Sequence, residues 1–428
     1  QAVDAAHEAL QEWQQKTAEE RGELLNEWHR LIAEHTEELA RTMVEEQGKP
    51  LKEAIGEINY ANGFIDWYAA EGRRVYGETI PASSNQKRIF AIKQPVGVIA
   101  AITPWNFPAA MITRKVAPAL AAGCTVVMKP ASATPLTAIE LVKLAEKAGF
   151  PKGVINLVTG QASDIVKAWQ QDKRVRKLTF TGSTEVGKML MRDAADTMKK
   201  ISLELGGHAP LIVTAKADLD KAVPQAVATK FRNGGQTCVC ANRIYVERAV
   251  VDEFSERFIK EVEALKVGNG LEEGVDIGPL IDDDALSKVE KHIEDAQIRG
   301  GEVYGGEVLD GLFIRPAVIR YANEDMLCMN EETFGPVAPI ATFDSLDEVI
   351  KRANNTPFGL AAYLFTQDIN EAVYLAESLE YGIVGVNDGL PSTPQAPFGG
   401  WKESGLGREG GHHGIEEFLE VKYISLGL

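Results

Sequence analysis

The chain has 428 residues, 45% of them hydrophobic and 25% charged, with a formal net charge of −17 at pH 7. This composition is typical of a soluble globular protein of two or three domains, and the negative charge argues against a nucleic-acid partner. No apolar run reaches the roughly 18 residues needed to cross a bilayer, so we expect no membrane partner. With only four cysteines, we expect no disulfide framework, which favours a cytoplasmic protein.

The first residues carry no targeting signal. The chain begins at Gln1 inside an amphipathic helical pattern, and we expect a further segment to precede it. Its seven histidines are scattered, and the only close cysteine pair, Cys238 and Cys240, has no second pair to complete a zinc site. We therefore expect no bound metal.

Helices dominate the first part of the chain. Apolar residues at three- and four-residue spacing predict one helix over residues 17–46 and a second that ends near residue 72. Two β-rich runs follow, at 88–93 and 96–102. From residue 124 short apolar strands alternate with helices: strands at 125–129, 154–158, 177–181, 201–205 and 211–213, and helices at 135–148, 161–170 and 184–195. This alternation predicts an α/β fold whose ligands lie beyond the carboxyl ends of parallel strands.

A second alternating series follows residue 238. It contains helices near 250–265, 284–299 and 346–354, and strands near 243–246, 313–319 and 383–386. A glycine-rich segment over 398–411 then leads to a final strand at 419–425. We therefore predict two α/β domains of similar size and a small β arm.

Cys238 lies in a Gly-Gln-Thr-Cys turn, six residues after Arg232. This arrangement is typical of a nucleophile with a substrate anchor nearby. Only the thiolate is reactive, and a free cysteine has a pKa of about 8.5, so Cys238 needs a helper base or an electropositive setting. Cys240 is either the resolving thiol of a redox switch with Cys238 or a small packing residue, since a disulfide across one residue would be strained.

Two glycine-rich stretches are candidates for a phosphate site. The first, from Gly182 and Ser183 to Gly187, follows a predicted strand and opens a helix, which would present free backbone N–H groups to a pyrophosphate. It lacks the usual middle glycine, so a plain turn remains the alternative. The second, Gly-x-Gly-x-x-Gly at 405–410, follows no strand, and we interpret it as a loop without a cofactor role.

Two polar residues carry groups that a thiol enzyme needs. Glu204 ends an apolar strand, where burial could raise its pKa enough for it to activate a water molecule. The alternative is a solvated carboxylate at a strand end. Asn106 stands between Trp105 and Phe107 in a turn bounded by prolines, where its amide could donate to an oxyanion. A turn asparagine that caps its own backbone is the commoner case.

Seven motifs occur in one order along the chain. They are PWNFP at 104–108, KP at 129–130, FTGS at 180–183, ELGG at 204–207, GQTC at 235–238, ETFGP at 332–336 and PFGG at 397–400. Together they resemble the NAD(P)-dependent aldehyde dehydrogenases. The resemblance implies an α/β fold with a Rossmann-type cofactor domain (1–74 and 96–206), an α/β catalytic domain (207–403) and a small β oligomerisation arm (75–95 and 404–428).

The resemblance also implies a role for each site residue. Cys238 would form a thiohemiacetal with the aldehyde, while Asn106 and the Cys238 backbone N–H would hold the oxyanion. After hydride transfer to the cofactor, Glu204 would activate the water that hydrolyses the thioester. The residues implied at the NAD or NADP site are Trp105, Lys129, Ser132, Gly182, Ser183, Glu332 and Phe334. Ser132 stands where NAD-preferring members often carry glutamate, so NADP should be accepted. A homodimer or homotetramer is expected.

A closer resemblance is to the succinate-semialdehyde dehydrogenases. It rests on the stretches MITRK at 111–115, FRN at 231–233, CVCAN at 238–242 and NDGLPS at 387–392. It implies that Arg114 and Arg232, with help from Ser392, bind the free carboxylate of a semialdehyde.

Several alternatives stay open. Either arginine could form a structural ion pair, and the substrate could be glutarate semialdehyde or 2-oxoglutarate semialdehyde. From other classes, the chain could be a cysteine hydrolase or an inactive relative. His208 departs from the family pattern and receives no role.

Overall fold

The computed structural model of the protein describes residues 1–428. The α-helices are α1 Ala2–Trp13, α2 Ala18–Glu34, α3 Thr36–Gln47, α4 Leu51–Glu71, α5 Ala110–Ala122, α6 Leu136–Lys147, α7 Ala162–Gln171, α8 Thr184–Ala194, α9 Leu219–Phe231, α10 Val251–Glu263, α11 Asp283–Ile298, α12 Leu327–Asn330, α13 Leu346–Asn354, α14 Ile369–Ser378 and α15 Gly411–Glu416.

The strands are β1 Glu78–Ile80, β2 Lys87–Pro95, β3 Val98–Ile102, β4 Thr125–Lys129, β5 Ile155–Leu157, β6 Val175–Thr181, β7 Lys200–Glu204, β8 Ala209–Val213, β9 Ala241–Glu247, β10 Glu302–Gly305, β11 Val308–Asp310, β12 Phe313–Ile314, β13 Ala317–Arg320, β14 Val337–Phe343, β15 Phe358–Gly359, β16 Ala361–Phe365, β17 Ile383–Val386, β18 Trp401–Lys402, β19 Gly405–Leu406 and β20 Leu419–Gly427. No helix is both long and apolar enough to span a membrane.

A six-stranded sheet forms the first α/β layer, in the order β19-β7-β6-β3-β4-β5, and all its pairs are parallel except β19 with β7. Thr181 at the end of β6 lies opposite Glu204 at the end of β7, and Lys129 ends β4. Because parallel strands end at one edge, the sheet brings these side chains to the same side of the molecule.

The second sheet has seven strands, in the order β10-β13-β14-β9-β8-β16-β17. Only the β10–β13 pair is antiparallel. Strands β8 and β9 stand side by side, and the residues that precede them form two turns: Gly206 and Gly207 come before β8, and Cys238 comes before β9. This pairing places the Glu204 region beside Cys238.

A separate antiparallel sheet, in the order β1-β2-β20, carries the first and last strands of the chain. Strands β2 and β20 pair over nine residues, with Phe90 opposite Ile424. Strand β20 exposes apolar side chains on both faces, with Val421 and Tyr423 on one face and Leu426 on the other.

Apolar side chains cover both faces of the six-stranded sheet. Successive residues of a strand point to opposite faces, so Ile99 and Ala101 join a core beneath helices α2 to α6, while Val98 and Ala100 join a smaller core that includes Trp169 of α7. The predicted α/β class is confirmed by this layered arrangement.

The single helix predicted over 17–46 is wrong, because His35 separates α2 from α3. Its backbone leaves the helical region (φ −108°, ψ 16°), and its Nδ1 lies 2.8 Å from the carbonyl oxygen of Leu31. Helix α5 was not predicted from periodicity. All 13 of its residues are buried, so no polar face marks it as a helix. Strand β16 was also missed, although β4 and β8, which are equally buried, were predicted.

The segment after the catalytic-domain range divides between two sheets. Residues Gly405 and Leu406 form β19 and pair with β7, whereas β20 belongs to the three-stranded sheet. The Gly-x-Gly-x-x-Gly stretch at 405–410 therefore begins as a short edge strand and opens no long helix.

Candidate active site

The turn that presents Cys238 depends on left-handed backbone. Helix α9 ends at Phe231, and the next turn holds Asn233 at φ 53°, Gly234 at φ 63° and Gly235 at φ 74°. A Cβ on Gly235 would stand 2.3 Å from the carbonyl oxygen of Gly335, so this position needs glycine for space as well as for its dihedral angles. The chain then turns once more at Cys238 before β9 begins.

Cys238 lines a cavity of about 290 Å³ together with Arg114, Arg232 and Ser392. Burial raises the pKa of the Cys238 thiol to about 12, while the positive charge of Arg114 acts in the opposite direction. The thiol is therefore protonated near neutral pH and needs a proton acceptor to become a nucleophile. The predicted nucleophile and the three predicted carboxylate-binding residues are thus brought to one cavity.

Two hydrogen-bond donors lie near the reactive sulfur. Asn106 is buried, and its Nδ2 donates to the carbonyl oxygen of Gln236 at 3.0 Å. One of its two N–H bonds therefore remains for another acceptor. The backbone N–H of Cys238 donates to no acceptor within the protein. These are the two groups that the sequence predicted for the oxyanion.

Glu204 is 3% exposed, and neither of its carboxylate oxygens has a hydrogen-bond partner in the protein. Burial, followed by repulsion from the Glu409 carboxylate, raises its pKa well above 4.5. A buried carboxylate whose two oxygens are free can accept a proton from a water molecule. The alternative of a solvated strand-end carboxylate is excluded by this burial.

Glu409 pairs with two buried cations, Arg114 and Lys115. Lys115 also donates to Thr181 Oγ1 at 2.5 Å. Burial lowers the pKa of Lys115, whereas the Glu409 carboxylate opposes that shift. Lys115 and Glu409 thus form a charged pair near Glu204, and both act on the pKa of Glu204. Sequence reasoning missed Glu409, which lies in the stretch interpreted as a loop without a role.

The predicted carboxylate anchors differ in their contacts. Arg114 is ion-paired with Glu409, the structural alternative considered above, but its Nη2 has no hydrogen-bond partner. Arg232 forms no ion pair, and its guanidinium lies 5.3 Å from the ring centroid of Phe107. Ser392 lies on a loop that is tied to α9, because Thr229 Oγ1 donates to the carbonyl oxygen of Gly389 at 2.9 Å.

The cavity also contains an acid that the sequence did not predict. Glu53 of α4 lines it, and its Oε2 accepts from the backbone N–H of Asn233 at 2.8 Å. Burial raises the pKa of Glu53. No histidine lines the cavity, so a cysteine hydrolase, which would need a histidine base here, has no support.

Cys240 is fully buried, and both Cys238 and Cys240 are free thiols. The Cys240 sulfur lies 3.3 Å from Lys230 Nζ, which also donates to Asn242 Oδ1 at 2.9 Å. The redox switch between the two cysteines stays a prediction. His208 is buried with neither ring nitrogen paired, and burial lowers its pKa well below 6.5.

Glu332 contacts Gly207, whose backbone lies against Cys238. Its Oε1 accepts from the backbone N–H of Gly207 at 2.9 Å, and burial raises its pKa to about 7. Trp105 and Phe334 meet edge to face, with ring centroids 5.7 Å apart. Of the residues predicted for the cofactor site, Glu332 thus contacts the glycine turn beside the nucleophile, and Trp105 contacts Phe334.

The remaining predicted cofactor residues lie at or just after the ends of β4 and β6, and none of them lines the cavity between α7 and α8. A cavity of about 770 Å³ lies between α7 and α8, with Phe180 in its wall. Gly182 follows β6, and the Ser183 hydroxyl caps α8 by accepting from the backbone N–H of Val186. Lys129 Nζ donates to the Pro130 carbonyl oxygen at 3.0 Å and lies 3.5 Å from Ser132 Oγ.

The aldehyde dehydrogenase family model matches residues 1–424 of the chain. The chain belongs to the aldehyde dehydrogenase family. Among its relatives, the succinate-semialdehyde dehydrogenase (NADP+) of Escherichia coli K12 is 54% identical over 430 residues, covering 100% of this chain and 89% of the relative. The glutarate-semialdehyde dehydrogenase of Pseudomonas putida KT2440 is also 54% identical, covering 99% of this chain and 89% of its own length. The crystal structure of an aldehyde dehydrogenase from Brucella melitensis biovar abortus 2308 superposes with a TM-score of 0.99 at 57% identity, covering 100% of this chain and 88% of that one.

The ends of β4 and β6 in this aldehyde dehydrogenase carry groups that suit a nicotinamide dinucleotide in their chemistry. Gly182 cannot be larger, because its Cβ would stand 2.3 Å from the Phe180 ring. This leaves bare backbone at a capped helix N-terminus, which suits a phosphate. The Lys129 ammonium group contacts only the Pro130 carbonyl oxygen and the Ser132 hydroxyl, so it is free to bind ribose hydroxyls or a phosphate. No group of three or more metal-ligating side chains occurs.

Sequence reasoning about this aldehyde dehydrogenase therefore found the residues that its motifs contain. It missed Glu409, Glu53, and the buried pair formed by Lys49 and Glu57. Glu409 lies in the Gly-x-Gly-x-x-Gly stretch that was interpreted as a loop without a role, and the other three lie outside every motif. A charged residue on a predicted buried helix face was the only available sign for Glu57, whose neighbours Ala54, Ile58 and Ala61 are apolar.

Proposed function

We propose that the protein oxidises a semialdehyde with a terminal carboxylate, most readily succinate semialdehyde, with NADP or NAD as cofactor. The observation that carries this proposal is a single cavity that holds Cys238 together with Arg114, Arg232 and Ser392. A thiol nucleophile acts on an aldehyde carbon, and forked guanidinium groups suit a carboxylate at the far end of the same small molecule.

The first chemical step joins sulfur to carbon. Cys238 passes its proton to a water molecule as its sulfur attacks the aldehyde carbon, and the carbonyl oxygen becomes an oxyanion. The free N–H of Asn106 and the backbone N–H of Cys238 donate to that oxygen. Donors fixed before the reaction stabilise charge as it develops, and one such donor can contribute about 10²- to 10³-fold in rate.

The bound nicotinamide cofactor supplies the hydride acceptor, and Cys238 then carries an acyl group as a thioester. Glu204 takes a proton from a water molecule whose oxygen attacks the thioester carbon. The carbon–sulfur bond breaks, the carboxylic acid leaves, and the thiol of Cys238 is restored. The raised pKa of Glu204 suits this role, because a base works best when its pKa lies near the working pH.

The cofactor preference that we propose is NADP. A carboxylate at position 132 would repel a 2′-phosphate, whereas the Ser132 hydroxyl next to Lys129 offers a donor beside a cation. The relative from Escherichia coli bears NADP+ in its name. Glutarate semialdehyde is the second candidate substrate, because a relative named for that activity is equally identical to this chain.

We also propose that the three-stranded sheet is the oligomerisation arm, within the ranges 75–95 and 404–428, of a homodimer or homotetramer. The cofactor domain would comprise 1–74 and 96–206, and the catalytic domain 207–403. Val421 and Tyr423 are exposed apolar side chains on one face of β20, and they support an interface there. A cytoplasmic location is proposed from the free cysteines.

The experiment compares initial rates of NADPH formation with succinate semialdehyde, glutarate semialdehyde and butanal. Butanal has the same four-carbon chain as succinate semialdehyde but no carboxylate. Each charge-assisted hydrogen bond contributes roughly 1.5–3 kcal/mol, so kcat/KM should be at least about tenfold higher for the semialdehydes. The variant Cys238→Ser should lose turnover with all three aldehydes. Equal kcat/KM values for butanal and the semialdehydes would refute carboxylate recognition.

A further inference from the structure

A fully buried ion pair joins the helical N-terminal section to the active site. Lys49 follows α3 and Glu57 lies in α4, and their side chains are 0% and 1% exposed. Burying two charges carries a desolvation penalty that their attraction often only offsets, so a buried pair is weak evidence of a purely stabilising role. What the pair contacts is therefore more informative than the pair itself.

Lys49 contacts the segment that carries the predicted oxyanion donor. Its Nζ donates to the carbonyl oxygen of Asn106 at 2.8 Å and lies 4.0 Å from the ring centroid of Phe107. The same carbonyl oxygen accepts from Asn233 Nδ2 at 3.0 Å. Both bonds hold the peptide that follows Asn106, and so they fix where its side chain starts.

Glu57 holds the other end of the same segment. Its Oε1 accepts from the backbone N–H of Ala109 at 2.9 Å and of Ala110 at 3.3 Å. These N–H groups lie at the start of α5, where no intrahelical acceptor exists, and a carboxylate there is favourable. The segment between Asn106 and α5 is therefore bonded at both ends by one ion pair.

Gln47 bonds the turn that presents Cys238 to the backbone of Lys49. The Gln47 side chain donates from Nε2 to Asn233 Oδ1 at 2.9 Å, and its Oε1 accepts from the backbone N–H of Lys49 at 2.9 Å. Asn233 Nδ2 in turn lies 3.2 Å from the carbonyl oxygen of Gln236, to which Asn106 Nδ2 also donates. One buried network thus links the donor segment and the turn that presents Cys238.

We propose that Lys49 and Glu57 are positioning residues for the reaction: they act through Asn106 by holding its amide at the distance and angle that the oxyanion requires. This inference rests on the proposed function, in which Asn106 stabilises an oxyanion. Glu57 also lines the cavity, but both of its carboxylate oxygens are already bonded, one to Lys49 and the other to the N–H groups of Ala109 and Ala110. The effect of Lys49 and Glu57 is on the rate of the steps that create negative charge on the carbonyl oxygen.

The test uses the full-length double variant Lys49→Met/Glu57→Gln. Methionine fills the lysine volume without a charge, and glutamine keeps an oxygen for the N–H of Ala109, so no charge is left buried alone. The matched control is Lys177→Met/Glu417→Gln, which removes another ion pair with a buried lysine whose hydrogen bonds reach neither Asn106 nor the turn at Cys238. Melting temperature and NADPH binding, measured by fluorescence, show that each variant is folded.

The decisive readouts are kcat, KM and the rate at which iodoacetamide alkylates Cys238. Alkylation displaces iodide from a saturated carbon and creates no oxyanion, so it reports on the thiol and its turn alone. In the double variant we expect kcat for succinate semialdehyde to fall by about 10- to 100-fold, because displacement by about 1 Å has effects of that size. KM and the alkylation rate should stay within about twofold. The control variant should keep its kcat.

Three other results would overturn the inference or its basis. A double variant with normal kcat, while Asn106→Ala is impaired, would refute the positioning role and leave the proposed function intact. A parallel loss of kcat and of alkylation would mean that the pair shapes the nucleophile turn in general. Normal turnover in Asn106→Ala or Cys238→Ser would refute the proposed function itself.

Discussion

The carbonyl oxygen of Cys238 lies against the backbone of Gly207, 2.2 Å from where a Cβ atom at residue 207 would stand. The two residues come from the turns before β9 and β8, which run side by side. Any side chain at 207 must therefore push the nucleophile turn away from its present place. Glu332 accepts the N–H of the same glycine, so the cofactor side of the site would move as well.

We predict that Gly207→Ala lowers kcat/KM by about 10²-fold, because a shift of about 1 Å in a reacting group has that effect. Steady-state rates with succinate semialdehyde measure it. Gly427→Ala is the control, since a Cβ there meets nothing within 4 Å. An unchanged kcat/KM in Gly207→Ala would show that the two turns can separate without loss.

Glu204→Gln should separate the two halves of the reaction. Glutamine keeps the shape but cannot take a proton from water, so the thioester should accumulate after one turnover. Stopped-flow absorbance should then show one equivalent of NADPH per site in a burst, followed by a slow steady rate. Intact-protein mass spectrometry should find the acyl group on the protein. Steady turnover at the wild-type rate would exclude Glu204 as the base.

The raised pKa of Glu204 also predicts how stability depends on pH. The folded protein binds the Glu204 proton more tightly than the unfolded chain does, so this group stabilises the fold fully below pH 4.5. That contribution is lost as the pH rises through the raised folded-state pKa. The melting temperature of Glu204→Gln, compared with the wild type, should therefore improve as the pH rises through this window. A constant difference would contradict the shift.

The two arginines should behave differently. Arg232 has no acidic partner, so Arg232→Met should raise KM for succinate semialdehyde by about 10-fold or more and leave butanal almost unaffected. Arg114→Met should also lower kcat, because Glu409 would lose one of its two cations beside Glu204. Without Arg114 the pKa of Glu204 should rise further, because the positive charge of Arg114 lowers it. The kcat of Arg114→Met should therefore recover only at higher pH. Identical profiles for both variants would contradict this distinction.

Ser132→Glu should change the cofactor preference. A carboxylate placed beside Lys129 would repel a 2′-phosphate and pair with the ammonium group, so KM for NADP should rise by about 10-fold or more. KM for NAD should change much less. Ser132→Ala separates loss of the hydroxyl from added charge. If the KM values for NADP and NAD rise equally in Ser132→Glu, residue 132 does not lie near the 2′ position of the cofactor.

Alkylation of Cys238 by iodoacetamide, without cofactor, should report the raised thiol pKa. Between pH 7 and pH 10 the rate should rise by about tenfold per unit and reach no plateau, because the thiolate fraction grows with pH up to a pKa of about 12. Arg114→Met should react more slowly, since the arginine lowers that pKa. A plateau near neutral pH would show that another group activates the thiol before substrate binds.

Much of the site could be predicted from local sequence. Cys238, Glu204 and Asn106 each sit in a short motif, and the strand or turn that holds each of them was recognisable from its own neighbours. The α/β class followed from the alternation of apolar strands and helices. Helix α5, which is buried on all sides, shows no helical periodicity and was not predicted.

The contacts that tune these residues could not be predicted. Glu409 lies 294 positions from Lys115, and Gln47 lies 186 positions from Asn233. Such pairs depend on how the sheets stack, which no local pattern encodes. Burial in the assembled molecule, rather than residue type, also sets the pKa values of Glu204 and Cys238.

The pairing of β19 with β7 has a consequence for how the enzyme is made in a cell. Arg114 and Lys115 are translated early. Their counter-charge, Glu409, is made only when the ribosome has passed residue 409, and it reaches them only when the edge strand β19 pairs with β7. A nascent chain that carries every catalytic side chain would still hold two unneutralised cations in its interior. A chain that ends before residue 409 should therefore contain Cys238, Glu204 and Asn106 but lack the carboxylate that balances these two charges.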